Sequence, residues 1–217
     1  MTRILIAITT AVMLLALPTM AQTDAKAKAV LEQVNKNFKK LKSLKADFTM
    51  KISNDNGLNE TKKGAFYLKG EMYRIEMEGM QIMTDAKNLY RYMKEMGEVT
   101  ISEYVASEQE ISPQKIFAGD YTKSYKSVYG GTKTVNGKAC DVITMTAINN
   151  TADMKTVKLY IDKKTDIIIR SEMTSKEGSN YAYDISNFKT NPALDNSFFV
   201  FDTKAKGNEN VEVVDMR

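Results

Sequence analysis

Apolar and polar residues alternate with a period of two along most of the chain beyond residue 45, and this pattern constrains the fold more than any other. Residues 46–52, for example, read Ala-Asp-Phe-Thr-Met-Lys-Ile. Successive side chains of a β-strand point to opposite faces, so each alternating run predicts a strand with one apolar face. Turn sequences separate the runs, such as Asn-Asp-Asn-Gly at 54–57 and Asn-Gly at 136–137.

The alternating runs follow one another as a long series of hairpins, which predicts one antiparallel sheet. The predicted strands cover residues 46–52, 63–69, 73–78, 80–84, 89–94, 98–105, 125–134, 139–148, 155–162, 166–174 and 181–188. Helices and strands do not alternate as they do in proteins with a parallel sheet. No low-complexity tract marks a boundary between domains.

A helical period precedes the strands and predicts an amphipathic helix over residues 24–42. Its apolar residues recur at helical spacing: Val30, Leu31, Val34, Phe38 and Leu41. Four lysines between positions 36 and 42 fall largely outside this apolar stripe. A basic amphipathic helix can bind a membrane surface, but such a stripe more commonly packs against its own domain, and we favour packing.

A sheet with one broad apolar face needs a cover. We expect the N-terminal helix to provide part of it. A second, short helix is predicted at Ser112–Phe117, where Ser112 would cap the helix and Pro113 would be its first residue. The sequence therefore predicts a mainly β (α+β) fold, an incomplete antiparallel β-barrel (half-barrel) with an N-terminal helix and a short helical lid covering a hydrophobic cavity.

Methionine and aromatic side chains are prominent on the apolar face of the predicted sheet. The chain has 14 methionines, and only Met1, Met13 and Met20 precede residue 22. The methionine side chain is flexible and suits surfaces that repack around variable apolar ligands. Ordinary core packing is the alternative for any single methionine, but a wide apolar face with little cover favours the binding of lipid.

Residues 1–21 have the layout of a secretory signal peptide. Arg3 supplies a positive charge, residues 4–17 are apolar and uncharged, and small residues follow Pro18. A retained membrane anchor is the alternative, but this stretch is shorter than the roughly 20 residues that a membrane span needs. We therefore predict cleavage after Ala21. The remaining residues, 22–217, are expected to form a single domain that is located in the periplasm.

The residue types present exclude several functions. The chain has no histidine and a single cysteine, Cys140, so it cannot form a Ser-His or Cys-His pair, a histidine-ligated metal site or an internal disulfide. We predict no enzyme activity, no catalytic residue, no metal, no cofactor and an unreactive Cys140. A net charge of +4, from 31 basic and 27 acidic residues, is too balanced for a dedicated nucleic-acid-binding protein.

An ordered set of segments resembles the periplasmic outer-membrane lipoprotein carrier proteins, the LolA-type chaperones. Residues 84–92, Thr-Asp-Ala-Lys-Asn-Leu-Tyr-Arg-Tyr, are similar to the hairpin Ser-Asp-Gly-Lys-x-Leu-Trp-x-Tyr of that family. The other similar segments are 46–51 after the first helix, 64–69 and 73–75 in the second and third strands, 112–117 at the lid helix, and 191–201 at the entry to the C-terminal strand. Together they span nearly all of the chain after residue 21.

The resemblance implies a periplasmic chaperone that binds the acyl chains of lipoproteins in a hydrophobic cavity and carries them from the inner to the outer membrane. The implied partners are acylated lipoproteins, an ATP-driven release complex in the inner membrane and, if one exists, an outer-membrane acceptor. We expect a monomer that does not bind nucleic acid. The predicted lipid-binding residues are Val34, Phe38, Phe48, Met50, Ile52, Phe66, Leu68, Tyr73, Ile75, Met77, Tyr90, Tyr92, Val99, Ile101, Ile116, Phe117, Val157, Leu159, Ile169 and Tyr183.

Two alternatives share this fold. One is a periplasmic regulator that senses lipids or lipoproteins, and the other is a carrier of a different lipid. The chain also departs from the family at two turns, and Ala86 stands where one of them usually has glycine. Many members have an Arg-Pro pair after the second strand, whose Arg is linked to closing the lid, whereas Lys69, Gly70 and Glu71 stand in that turn here.

Overall fold

A computed structural model describes residues 20–106, 124–149 and 152–217. Within them the chain forms one α-helix, α1 (Met20–Phe38), twelve strands and a short 3-10 helix (Asn196–Phe199). The strands are β1 (Leu44–Ser53), β2 (Asn59–Lys69), β3 (Met72–Met77), β4 (Met80–Thr84), β5 (Asn88–Met93), β6 (Glu98–Glu103), β7 (Tyr125–Val135), β8 (Lys138–Ala147), β9 (Met154–Asp162), β10 (Ile167–Ser175), β11 (Asn180–Thr190) and β12 (Glu212–Asp215).

Two predicted features fall outside this part of the chain. The predicted signal peptide does so except for Met20 and Ala21, which begin α1, and the predicted lid at Ser112–Phe117 does so entirely. Among the described residues, no helix has both the length and the apolar character needed to cross a membrane.

All twelve strands form one sheet, in the order β12-β6-β5-β4-β3-β2-β1-β11-β10-β9-β8-β7. Neighbouring strands are antiparallel, except that β12 pairs with β6 in parallel. The pairing of β1 with β11 joins two meanders, β1–β6 and β7–β11. Among the described strands, β7 and β12 remain at the two ends, so the sheet is not closed. The predicted incomplete antiparallel barrel is confirmed.

The helix α1 ends at Phe38, four residues before the predicted end at Lys42. The chain tightens there, because Leu41 N donates to Phe38 O at 3.0 Å. Lys42 N then donates to the side-chain oxygen of Asn191 at 2.8 Å. The backbone N–H of Lys42 thus bonds to a side chain of a distant segment instead of to a carbonyl of the preceding turn, and the helix does not continue.

One face of the sheet, which we call the inner face, packs against α1. Ala27, Leu31 and Val34 of the helix are at most 3% exposed and share one apolar cluster with residues from both meanders. Strands lie about 4.8 Å apart, so a flat sheet of this many strands would be several times wider than a helix of about 10 Å. Because residues of both meanders nevertheless share one cluster with α1, the sheet surrounds the helix as a half-barrel.

The opposite or outer face also carries apolar clusters, which corrects the expectation of a single apolar face. One cluster contains Met83, Tyr90, Val99, Ile101 and Phe201. The other contains Val135, Cys140, Val142, Tyr160 and Ile169. The first is covered by residues 191–217, which we call the C-terminal strap.

The C-terminal strap is fixed to β2 and β3 by basic side chains. Lys69 Nζ donates to Leu194 O at 2.6 Å. Arg74 Nη1 donates to Phe198 O at 3.0 Å, and the guanidinium carbon of Arg74 lies 4.6 Å from the centre of the Phe198 ring. Lys69, at the turn where the family commonly has its Arg-Pro pair, therefore holds the strap on the outer face.

Candidate functional site

The inner face between β1 and β5 is arranged in rows of side chains that run across the strands. The strand register places the members of each row opposite one another. The first row is Phe48, Gly64, Met77, Met80 and Met93, the second is Ala46, Phe66, Ile75, Ile82 and Arg91, and the third is Leu44, Leu68, Tyr73, Thr84 and Leu89. Three methionines are thus adjacent in the first row, on neighbouring strands.

Cover over the inner face is unequal. On the side of the second meander, Ile143, Met145 and Leu159 are fully buried, and α1 approaches β7 closely enough for Lys26 Nζ to lie 3.8 Å from the centre of the Tyr129 ring. On β3–β5 the apolar residues of the first and second rows are only half-buried, namely Ile75, Met77, Met80, Ile82 and Met93, whereas Tyr73 and Leu89 of the third row are buried. This half-buried apolar surface is the candidate site for an apolar ligand.

Gly64 makes the first row continuous across β2. The Phe48 ring lies over this glycine, and a Cβ atom at residue 64 would come within 2.6 Å of Phe48 Cζ and 2.9 Å of Met77 Cγ. It would also collide with the carbonyl oxygen of Glu76. Only glycine leaves room for the Phe48 ring and the Met77 side chain above this position.

Two clefts lined by described residues bear on the choice of site. A cleft of about 260 Å³ at the end of α1 is lined mainly by apolar side chains, among them Val34, Phe38, Ile168 and Phe188. A wider cleft of about 530 Å³ is lined mainly by polar side chains of β1, β2 and β8–β11 that face outward, such as Lys158 and Thr174. The first continues the inner apolar surface, whereas the second does not suit an acyl chain.

The structure brings thirteen of the predicted lipid-binding residues together in the apolar cluster formed by the inner face and α1. The buried ones are Val34, Phe48, Met50, Phe66, Leu68, Tyr73, Val157 and Leu159, and those packed partly buried against them are Phe38, Ile52, Ile75, Met77 and Tyr183. Ile116 and Phe117 lie outside the described residues.

Five predicted residues lie on the outer face instead: Tyr90, Tyr92, Val99, Ile101 and Ile169. In β5, apolar side chains occupy both faces, and Tyr92 packs against Phe201 of the strap with ring centres 4.9 Å apart. In β10 the register shifts between Ile168 and Arg170, which turns Ile168 inward and Ile169 outward. A shift of one residue exchanges the two faces of a strand.

Sequence reasoning missed several half-buried or buried members of the inner face on β4, β5 and β10, among them Met80, Ile82, Met93 and Met173. The strand β4 has five residues and reads Met-Gln-Ile-Met-Thr, so apolar residues occupy both faces and do not show which is inner. The usable signal was the Glu-Gly turn at 78–79, because a two-residue turn places Met77 opposite Met80.

The titratable groups of the site are tyrosines whose hydroxyls stay protonated. Burial raises the pKa of Tyr183 to about 12, and the neighbouring Tyr181 adds to this. Burial also raises the pKa of Tyr73 to about 12, with Tyr104 acting in the same direction and Arg91 against it. Burial likewise raises the pKa of the Cys140 thiol, which lies in an outer cluster. Among the described residues, no group of three or more His, Cys, Asp or Glu side chains could hold a metal ion.

Ser171 is a buried polar residue on the inner face. It is fully buried, opposite Tyr183 and Leu159 in the register, and its hydroxyl has no hydrogen-bond partner among the described residues. A buried hydroxyl without a partner costs about 1–3 kcal/mol. We therefore expect Ser171→Ala to raise the free energy of unfolding by about 1 kcal/mol.

Ser175 on the same strand is the matched control. It is also buried, but its oxygen accepts a hydrogen bond from Ser179 N at 3.1 Å. Ser175→Ala should therefore lower the free energy of unfolding by about 1 kcal/mol. Urea denaturation of both variants measures the difference. Equal destabilisation by the two substitutions would mean that the Ser171 hydroxyl is bonded in solution.

Comparison with known proteins gives a family match over most of the chain. The family model of the outer membrane lipoprotein carrier protein LolA matches residues 39–202. No curated protein sequence matches the chain.

Solved structures give matches at low identity. An uncharacterised conserved protein from Thermus thermophilus has 14% identity and a TM-score of 0.59, over 88% of this chain and 99% of that one. A LolA superfamily protein from Nitrosomonas europaea has 13% identity and a TM-score of 0.43, over 81% and 98%. The lipoprotein LppX of Mycobacterium tuberculosis has 12% identity and a TM-score of 0.47, over 79% and 98%. At 14% identity, the likeness to the Thermus protein indicates a shared fold.

Proposed function

We propose that this chain, which belongs to the family of the outer membrane lipoprotein carrier protein LolA, binds the acyl chains of lipoproteins on its inner face and carries them through the periplasm. The observation that carries the proposal is the half-buried apolar surface of β3–β5, beyond the fully buried core beside α1. Its centre is the methionine series of the first row, Met77, Met80 and Met93.

The physical need for a carrier follows from the hydrophobic effect. Each CH₂ group removed from water is worth roughly 0.8 kcal/mol, so a long acyl chain in water costs on the order of 10 kcal/mol. An open apolar surface removes much of this cost, and flexible methionine side chains adapt to chains of different length and position. A half-buried surface also releases its ligand more readily than a sealed cavity does, as transfer between membranes requires.

The route and partners belong to the same proposal. Cleavage after Ala21 would release residues 22–217 into the periplasm, where an ATP-driven release complex of the inner membrane would load the protein. An outer-membrane acceptor or the membrane itself would receive the cargo. A regulator that senses lipoproteins would use the same surface but would pass the signal to a protein partner, so the partner distinguishes the two roles.

The test is a displacement assay with the purified protein. N-phenyl-1-naphthylamine fluoresces in apolar surroundings, and we expect it to bind at micromolar concentration and to be displaced by a triacylated lipopeptide. The unacylated peptide is the control and should not displace it. Absence of probe binding by the folded protein would refute the proposal, and displacement by phospholipid but not by lipopeptide would replace lipoproteins with phospholipid as the cargo.

A further inference from the structure

The apolar rows of the inner face end at a positive charge. In the second row, Ile75 and Ile82 are followed on β5 by Arg91, which the register places opposite Ile82. Arg91 is exposed, and its inner neighbours along β5 are the buried Leu89 and the half-buried Met93. The guanidinium therefore borders the half-buried apolar surface directly.

Arg91 differs from the other arginines of the described chain. Arg74 pairs with Glu76 at 2.7 Å, Arg170 with Asp184 at 2.6 Å and Arg217 with Asp215 at 2.5 Å. An ion pair requires a nitrogen-to-oxygen distance of at most 4.0 Å. Among the described residues, no carboxylate oxygen lies that close to the Arg91 guanidinium. Its positive charge is therefore not neutralised by a neighbour in that part of the chain.

The groups around Arg91 on the inner face are mostly hydroxyls. Thr100 lies opposite Arg91, and Ser102 lies one inner position farther along β6. The charge of Arg91 also acts on the Tyr73 hydroxyl. The nearest inner carboxylate on β6 is Glu98, which accepts a hydrogen bond from Thr100 Oγ1 at 3.2 Å. Arg91 thus remains available to an anion, and the Ser102 hydroxyl lies at the next inner position of β6 as a further donor.

We propose that Arg91 binds the anionic head group, a carboxylate or a phosphate, of an acylated ligand whose hydrocarbon chain lies along the half-buried apolar rows of β3 and β4. This inference rests on the proposed function, because it uses the same acyl-binding surface, and it adds a preference for ligands that carry an anionic group. Strands spaced about 4.8 Å apart place β3 about 10 Å from β5 along a row, so part of a long chain fits on the half-buried surface beside the head group.

The preference has a physical cause. An acyl chain lying over Ile82 displaces water from the neighbouring guanidinium. An uncharged ligand would leave that charge partly desolvated and unpaired, which is unfavourable. A carboxylate or phosphate instead forms charge-assisted hydrogen bonds with the planar guanidinium, in bidentate geometry where both oxygens are in reach.

The experiment compares ligands with the same twelve-carbon chain. Dodecanoate supplies a carboxylate, lauroyl-lysophosphatidylglycerol supplies a phosphate, and 1-dodecanol supplies no charge, and each displaces N-phenyl-1-naphthylamine from the protein. We expect Arg91→Gln to weaken the affinity for at least one anionic ligand about tenfold and to leave that for 1-dodecanol within about twofold. The anion that responds identifies the head group.

Lys94→Gln is the control, because Lys94 lies in the turn after β5 and the substitution removes the same charge. It should leave all three affinities unchanged. Equal effects of Arg91→Gln and Lys94→Gln, or equal loss for charged and uncharged ligands in Arg91→Gln, would overturn the inference. If 1-dodecanol and both anions fail to bind the unaltered protein, the proposed function itself is wrong.

Discussion

Replacing Phe199 with alanine is expected to lower the free energy of unfolding by about 3–5 kcal/mol, the usual cost of removing a fully buried aromatic ring. Phe199 is 0% exposed and is the largest of the fully buried side chains described. It lies in the 3-10 helix of the C-terminal strap, edge-on to Phe198 at 5.5 Å between ring centres. Most domains are stable by only about 5–15 kcal/mol, so this one change should unfold a large part of the population at moderate urea.

Phe198→Ala is the matched control for the strap. Phe198 is only half-buried and contacts Tyr67 edge-on at 4.8 Å and the guanidinium of Arg74. Its loss should cost about 1–2 kcal/mol. Urea denaturation followed by far-ultraviolet circular dichroism measures both variants. A small cost for Phe199→Ala would mean that the strap unfolds separately from the sheet.

The antiparallel order of the sheet could be predicted because hairpins are local. The Asn-Gly turn between β7 and β8 has positive φ at both residues, 50° for Asn136 and 75° for Gly137, as the commonest two-residue hairpin requires. Such turns fix which strands are neighbours. The pairing of β1 with β11 and the parallel pairing of β12 with β6 join residues far apart in the chain, and no turn sequence indicates them.

The candidate site was predicted less completely than the fold, because alternation identifies two faces without saying which is inner. Where both faces are apolar, as in β5, the choice depends on what covers each face. The strap covers the outer side of Tyr92, and this contact between distant segments has no local signal. The assignment of Tyr90 and Tyr92 to the cavity therefore failed, whereas Phe66 and Leu68 on β2 were placed correctly on the inner face.

The register shift in β10 also led to a wrong assignment of the inner residue, in this case within a single strand. Residues 167–169 are three consecutive isoleucines, so the sequence offers no polar residue to set the phase of the strand. The irregularity between Ile168 and Arg170 turns Ile168 inward and Ile169 outward. A bulge of this kind is decided by packing on both faces at once, which the sequence of one strand does not reveal.

Replacing Met80 with glutamate is expected to weaken the binding of an uncharged apolar probe on the order of 100-fold. Met80 lies at the centre of the first row, between Met77 and Met93, and is half-buried. A carboxylate here would lose its water whenever a ligand covered the row, and burying an unpaired charge is strongly unfavourable. Because Met80 is not fully buried, the variant should still fold, with a loss of stability of about 1–2 kcal/mol.

Two further variants test whether the effect of Met80→Glu is specific to the first row. Met96 lies in the turn between β5 and β6 and is 72% exposed, so Met96→Glu adds the same charge away from the inner face and should bind the probe normally. Met80→Leu keeps an apolar side chain of similar volume and should also bind normally. Titration of N-phenyl-1-naphthylamine fluorescence measures all three. If Met80→Glu folds and binds the probe as tightly as Met96→Glu does, acyl chains do not lie along the methionine row, and the cleft beside Phe38 at the end of α1 becomes the better candidate.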